Sequence, residues 1–178
     1  CAKRLIGKEP FAVMLPDMLI SKENGNAGSS LKEMKLNFEK YEISSILLGK
    51  AKKVDISKYG IAQIKKNSQL PGIGLVEKII EKPSIKKAPS NLYAVGRYIF
   101  NNDFFKYLSK VKPDKSNEIQ LTDAIADYIK DEKKVNALSL EGDIFDCGDN
   151  AEYILANLEF AMKDPVMKTK IKNYLKTR

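Results

Sequence analysis

The chain has 178 residues, 43% hydrophobic and 30% charged, which fits a globular domain and excludes a fibrous or low-complexity chain. Its net charge of +8 comes almost wholly from lysine, with arginine only at Arg4, Arg97 and Arg178. Base readout and stacking favour arginine, so no nucleic-acid partner is expected.

Histidine is absent, which removes the commonest general base and the commonest zinc ligand. Cys1 and Cys147 stand alone, so neither a disulfide framework nor a paired-cysteine metal site is expected, and a reducing, cytoplasmic setting is the simplest reading. No run approaches the roughly 20 apolar residues that span a bilayer, so no membrane partner is expected. Beginning at Cys1 without methionine, the chain reads as cut from something longer.

In chain order, residues 11–15 form a short apolar run closed by Pro16 and Asp17, predicting a buried strand with a carboxylate at its C-terminal end. Ligands bind at that end of strands in open α/β sheets. A Ser-, Asn- and Gly-rich loop at 21–30 leads into a helix opened by Ser30 and Glu33, with Leu31, Met34, Phe38 and Tyr41 at helical spacing. Residues 43–48 predict a second strand, and Tyr59-Gly60 precedes a third at 61–64.

Pro71-Gly72 marks a turn, so that 61–64 and 75–81 form a hairpin. Residues 92–100 are the longest β-like run, followed by Asn102 and Asp103 as caps of a short helix. A helix over 120–130 has Leu121, Ile125, Ala126 and Ile129 as its apolar stripe, and 135–140 alternates as a half-buried strand does. Asp149 and Glu152 offer a capping box for a helix with Ile154, Leu155, Leu158, Ala161 and Met162 as its stripe. The lysine-rich end, 163–178, reads as an amphipathic closing helix. Alternating strands and helices argue for α/β.

Glu81-Lys82-Pro83 carries the most chemistry. A lysine meets a phosphate as a point charge, a glutamate accepts hydrogen bonds from hydroxyls, and the pair is equally at home on a solvated strand end. Asp17 and Asp146 both end apolar runs before a break, which suits either turn formation or a minimal Mg²⁺ site. Gly60 allows close backbone approach to a sugar ring or simply a tight strand entry. Asn91 and Arg97 suit ligand contact and backbone satisfaction alike, whereas Glu118, Thr122 and Asp123 read as helix capping.

These segments together resemble the sugar-phosphate nucleotidyltransferase family, in its uridylyltransferase branch. The likeness is carried by Phe11-Ala12-Val13-Met14-Leu15-Pro16-Asp17, Lys58-Tyr59-Gly60-Ile61, Glu81-Lys82-Pro83, Ala88-Pro89-Ser90-Asn91-Leu92, Gly96-Arg97-Tyr98-Ile99, Asn117-Glu118-Ile119-Gln120-Leu121-Thr122-Asp123-Ala124 and Phe145-Asp146-Cys147-Gly148. It runs over essentially the whole chain in the family's order. The resemblance implies a Rossmann-like nucleotidyltransferase fold with a mixed sheet, present as one partial domain over 1–178 with C-terminal helices from about 149 to 178.

The same resemblance implies attack by glucose 1-phosphate on the α-phosphorus of UTP, giving UDP-glucose and pyrophosphate. Asp17 and Asp146 would hold Mg²⁺, Lys82 the sugar phosphate and Glu81 the glucose hydroxyls, with Gly60 meeting the sugar and Asn91 contacting substrate. The family's glycine-rich nucleotide loop has no counterpart here, so the N-terminal nucleotide-binding part is expected to be missing. An N-terminal fragment or a second copy is then the expected protein partner, and a non-catalytic sugar-phosphate-binding module is the alternative reading. Met18 stands where relatives often carry a second aspartate, and Asp149-Asn150 where the branch commonly has a lysine.

Overall fold

In the computed structural model the elements run α1 (Lys3–Ile6), β1 (Phe11–Met14), β2 (Met18–Ser21), α2 (Ser29–Tyr41), β3 (Ser44–Lys50), β4 (Ile61–Lys65), β5 (Gly74–Ile80), β6 (Leu92–Phe100), α3 (Phe105–Leu108), α4 (Leu121–Lys130), β7 (Val135–Ser139), β8 (Asp143–Asp146), α5 (Asn150–Ala161) and α6 (Pro165–Lys176). The structure describes residues 2–21, 29–114, 117–140 and 142–177. Cys1 and most of the loop read at 21–30 lie outside them. Among the described residues no helix is long and apolar enough to cross a membrane.

The chain divides into two compact units. The first holds β1 and everything from α2 to β7, in a mixed six-stranded sheet ordered β1-β6-β3-β7-β5-β4. β3 and β7 run parallel, and the other neighbours are antiparallel. The α/β class and mixed sheet therefore match the reading from sequence.

Strand burial follows position in this sheet. β3 and β7 lie inside it and bury both faces, which is why Ser44 to Gly49 and Val135 to Leu138 are all buried. The half-buried alternation expected at 135–140 does not occur. β1 is the edge strand, and its residues alternate between half-buried and exposed, so the fully buried strand expected at 11–15 is also corrected. The β4–β5 hairpin forms as the Pro71-Gly72 turn predicts.

β6 serves three neighbours because it is bulged. Its register on β3 shifts between Tyr98 and Ala94, at Gly96, whose φ of 71° suits a residue without a side chain. Beyond the bulge, Leu92 and Tyr93 pair with Ala62 and Ile61 of β4.

The core centres on Phe100, Phe104, Ile125, Tyr128 and Val135, with the rings of Phe100 and Phe104 stacked at 3.8 Å. Each such side chain contributes roughly 1.5–3 kcal/mol on burial. α4 presents Ala124, Ile125 and Tyr128 to it, and Leu121, Ala126 and Ile129 of the expected stripe pack against the same core, partly buried. Asn102 and Asp103 do not cap a helix. Asn102 donates to the Gly7 carbonyl at 2.7 Å, and Asp103 accepts from Tyr128 at 3.1 Å and pairs with Lys133 at 2.8 Å.

The second unit holds β2, β8, α5 and α6. β2 and β8 form an antiparallel pair, Met18 opposite Asp146 and Ser21 opposite Asp143. Asp149 caps α5 by accepting from the backbone of Ala151 and Glu152 at 2.9 and 3.2 Å. Its own N–H goes to the Asp146 carbonyl at 2.9 Å, so only half of the expected capping box forms.

Candidate functional site

In the first unit the site begins where β5 stops. Glu81 follows the strand directly, and Lys82 takes a φ of 42°, a left-handed conformation rare for a residue ahead of proline. Its N–H donates to the Tyr59 carbonyl at 3.1 Å, folding this corner onto the entry to β4. Pro83 is buried behind it while Lys82 is exposed, so the ammonium is accessible to an anion. Strain of this kind persists only where the surroundings over-determine it, and functional corners are a common place for it.

Gly60 sits against the same corner. Its carbonyl accepts from Ala94 of β6 at 2.9 Å, and Tyr59 and Tyr93 pack with ring centroids 4.6 Å apart. A Cβ at Gly60 would lie 2.9 Å from Thr122 Oγ1 and 3.0 Å from Glu81 Oε2. Those distances are shorter than real side chains tolerate, so glycine is required by close approach.

Thr122 itself donates to Glu81 Oε2 at 2.6 Å, within the range of hydrogen bonds to a charged acceptor. This links the first turn of α4 to the end of β5. Buried Tyr98 lies near enough for the Glu81 carboxylate to matter. Burial first, and that negative charge second, push the Tyr98 hydroxyl well above the ordinary tyrosine range. Glu81 is thus held by a donor on one oxygen and packed against the buried Gly60.

The structure brings Gly60, Glu81 and the Lys82 backbone together, and Asn91 stands at the entry to β6. Asn91 precedes β6, its carbonyl accepting from Ala51 at 2.9 Å and its residue exposed, three positions before the Ala94 contact to Gly60. Arg97 donates to the Gly96 carbonyl at 3.2 Å, beside the bulge.

The second unit brings Asp17 and Asp146 together. Asp17 lies in the turn before β2, where its carbonyl accepts from Cys147 N at 2.8 Å. Asp146 ends β8, and its Oδ1 accepts from Gly148 N at 3.0 Å. A Cβ built at Gly148 would lie 3.0 Å from Asp146 Oδ1 and 3.7 Å from Asp17 Oδ2, so oxygens of both carboxylates flank a single point. The Cys147 thiol registers them. Burial raises it above the ordinary cysteine value, and Asp146, Asp17 and Glu152 add to the shift.

Two hard carboxylate oxygens from different segments are a donor set that fits Mg²⁺, which takes few protein ligands and completes its shell from water and substrate phosphates. Among the described residues no group of three or more His, Cys, Asp or Glu could hold a metal. A tighter, all-protein cage is therefore not available there.

Thr122 is the site residue that sequence reasoning misassigned. α4 has no side-chain cap at Gln120, and the Thr122 hydroxyl is used on Glu81, 41 positions earlier in sequence. The signal was present as the block Glu118-Ile119-Gln120-Leu121-Thr122-Asp123 recurring beside Glu81-Lys82-Pro83 in the resemblance, which helix-start chemistry alone does not weigh.

A model of the nucleotidyl transferase family matches residues 1–163. The UTP--glucose-1-phosphate uridylyltransferase of Haemophilus ducreyi is 37% identical over 165 residues, covering 92% of this chain and 56% of that relative. Among solved structures, a UDP-glucose pyrophosphorylase complexed with UDP-glucose superposes with a TM-score of 0.82 at 37% identity, covering 92% of this chain and 60% of that one. A UTP-bound UGPase from Acinetobacter baumannii gives a TM-score of 0.81 at 30% identity, covering 98% and 59%. The chain thus spans less than two thirds of the length of each.

Proposed function

This chain belongs to the nucleotidyl transferase family, and from that premise we propose that it supplies sugar-phosphate-binding and metal-binding residues for uridylyl transfer from UTP to glucose 1-phosphate. A phosphate oxygen of glucose 1-phosphate forms a bond to the α-phosphorus of UTP. The bond from that phosphorus to the bridging oxygen breaks, and pyrophosphate leaves with the electron pair. The phosphate monoester is already anionic, so no general base is needed and the lack of histidine is no obstacle. Positioning and charge neutralisation carry the rate.

The observation that carries this reading is the knot of Thr122, Glu81 and Gly60 beside Lys82. Thr122 fixes one carboxylate oxygen of Glu81, leaving the other to accept from sugar hydroxyls. Gly60, itself buried, lacks the side chain that would hold Thr122 and Glu81 away from this corner, where its backbone would meet the sugar. Lys82 meets the phosphate as a point charge. Asn91, at the entry to β6, would contact substrate from the rim. Asp17 and Asp146 would hold Mg²⁺, which neutralises phosphate charge when bound.

A second reading is a non-catalytic sugar-phosphate-binding module. In it the chain would bind the sugar phosphate without catalysing transfer. Glucose 1-phosphate binding and pyrophosphate release from UTP, measured on the same preparation, separate the outcomes. Binding without release supports the second reading. Release at an enzyme's ordinary rate shows that nothing further is needed, and absence of both overturns the proposal.

A further inference from the structure

Two segments at one end of the first unit hold much of the chain's positive charge. Residues 50–60 carry Lys50, Lys52, Lys53 and Lys58 against Asp55, and residues 81–91 carry Lys82, Lys86 and Lys87 against Glu81, together five of the net eight charges. All of these lysines are exposed. Apart from the Lys58–Asp55 pair at 3.1 Å, none makes an ion pair among the described residues.

The backbone lays the two segments side by side. Ala51 N donates to the Asn91 carbonyl at 2.9 Å and Lys82 N to the Tyr59 carbonyl at 3.1 Å, so the segments are pinned to each other at both ends. They lie where β3 and β5 end and β4 and β6 begin, around the corner of Glu81 and Gly60. Crowding like charges works against the compact state, so this rim does not serve stability. A lysine is a compact, hydrated point charge that attracts a phosphate without fixing its orientation. A rim of them concentrates an anion, and orientation falls to Glu81 and Gly60.

We propose that this lysine rim gathers sugar-phosphate dianions to the corner by long-range attraction, separately from the contact made by Lys82. The proposal rests on the sugar-phosphate reading of that corner. Lys52, Lys53, Lys86 and Lys87 act at a distance, so salt screens their effect, whereas most of a direct contact persists.

Calorimetric titration of glucose 1-phosphate into this chain at about 20 and about 300 mM NaCl tests it. A rim variant combining Lys52→Gln, Lys53→Gln, Lys86→Gln and Lys87→Gln should bind about fivefold or more weakly than the parent at the lower salt and within about twofold of it at the higher, with the melting curve unchanged. A control combining Lys8→Gln, Lys32→Gln, Lys66→Gln and Lys112→Gln removes the same charge elsewhere in the unit and should stay within about twofold of the parent at both salts. The same salt dependence in rim variant and parent overturns the proposal, as does an equal loss in the control, which would assign the effect to net charge. Failure of glucose 1-phosphate to bind the parent at either salt overturns the sugar-phosphate reading and the rim's substrate with it. Inorganic tripolyphosphate then separates the two: binding to the parent that the rim variant loses keeps an anion-gathering rim, and equal binding overturns that as well.

Discussion

The Thr122 hydroxyl donates to the Glu81 carboxylate across 2.6 Å, joining the first turn of α4 to the end of β5. A donor that short to an ionised acceptor fixes the carboxylate's rotamer. Thr122→Val keeps the shape and removes the donor, and should cost about 1.5–3 kcal/mol of stability together with sugar-phosphate affinity. Thr122→Ser should retain most of both. Denaturant melts and glucose 1-phosphate titration check the pair of variants, and equal loss in both would show that packing, not the hydrogen bond, matters.

Gly60→Ala is expected to be far worse than its size suggests. The new methyl would meet Thr122 Oγ1 at 2.9 Å and Glu81 Oε2 at 3.0 Å, and a threonine side chain has no far end to swing away. Overpacking of this kind costs about 1–3 kcal/mol. The carboxylate must shift, so affinity for glucose 1-phosphate should fall even at temperatures where the variant remains folded.

Tyr98 sets an alkaline limit on stability. Its folded-state hydroxyl is raised by burial and by Glu81, so the protonated form is the one compatible with the fold. The associated stability is fully present below the unfolded value near pH 10 and is lost as pH rises above it, by about 1.4 kcal/mol per pH unit for one proton. Tyr98→Phe should flatten that decline. Melting temperatures between neutral pH and strong alkali provide the comparison.

For the carboxylate pair, Asp146→Asn keeps an oxygen to accept from Gly148 N while removing the charge. Asp17→Asn likewise changes charge and little else. Each should weaken Mn²⁺ binding, read from water proton relaxation, by about tenfold or more, with the melt unchanged. Undiminished Mn²⁺ binding in both variants would remove the pair from consideration as a metal site.

Much of the fold was legible because local pattern and tertiary context agree. Residues 92–100 form β6 as their β-branched and aromatic content predicts, and Pro71-Gly72 closes the β4–β5 hairpin. Burial was less legible because it depends on where a strand lies in the sheet. Residues 135–140 read as an alternating strand, yet Val135 to Leu138 sit between two neighbours, while the apolar residues of β1 lie at an edge.

At the candidate site, residue types at Glu81, Lys82 and Gly60 could be read, but their geometry could not. A lysine before proline is expected to be extended, and its φ of 42° follows from the bond between its N–H and the Tyr59 carbonyl. Thr122 escaped because its partner is distant in sequence. The stripe of α5 was seen correctly as apolar, but the residue its unit buries is the small Ala156, which lets the helix approach closely.

Lys82 offers the most direct measurement. Lys82→Gly removes the ammonium and accepts the positive φ more readily than any other residue, so stability should change by no more than about 0.5 kcal/mol. Glucose 1-phosphate binding to the parent and to Lys82→Gly, measured calorimetrically at equal pH and salt, should differ by about tenfold or more, with the variant still binding weakly through the Glu81 side. Equal affinity in a variant that folds as well as the parent would contradict the assignment of this corner to the sugar phosphate.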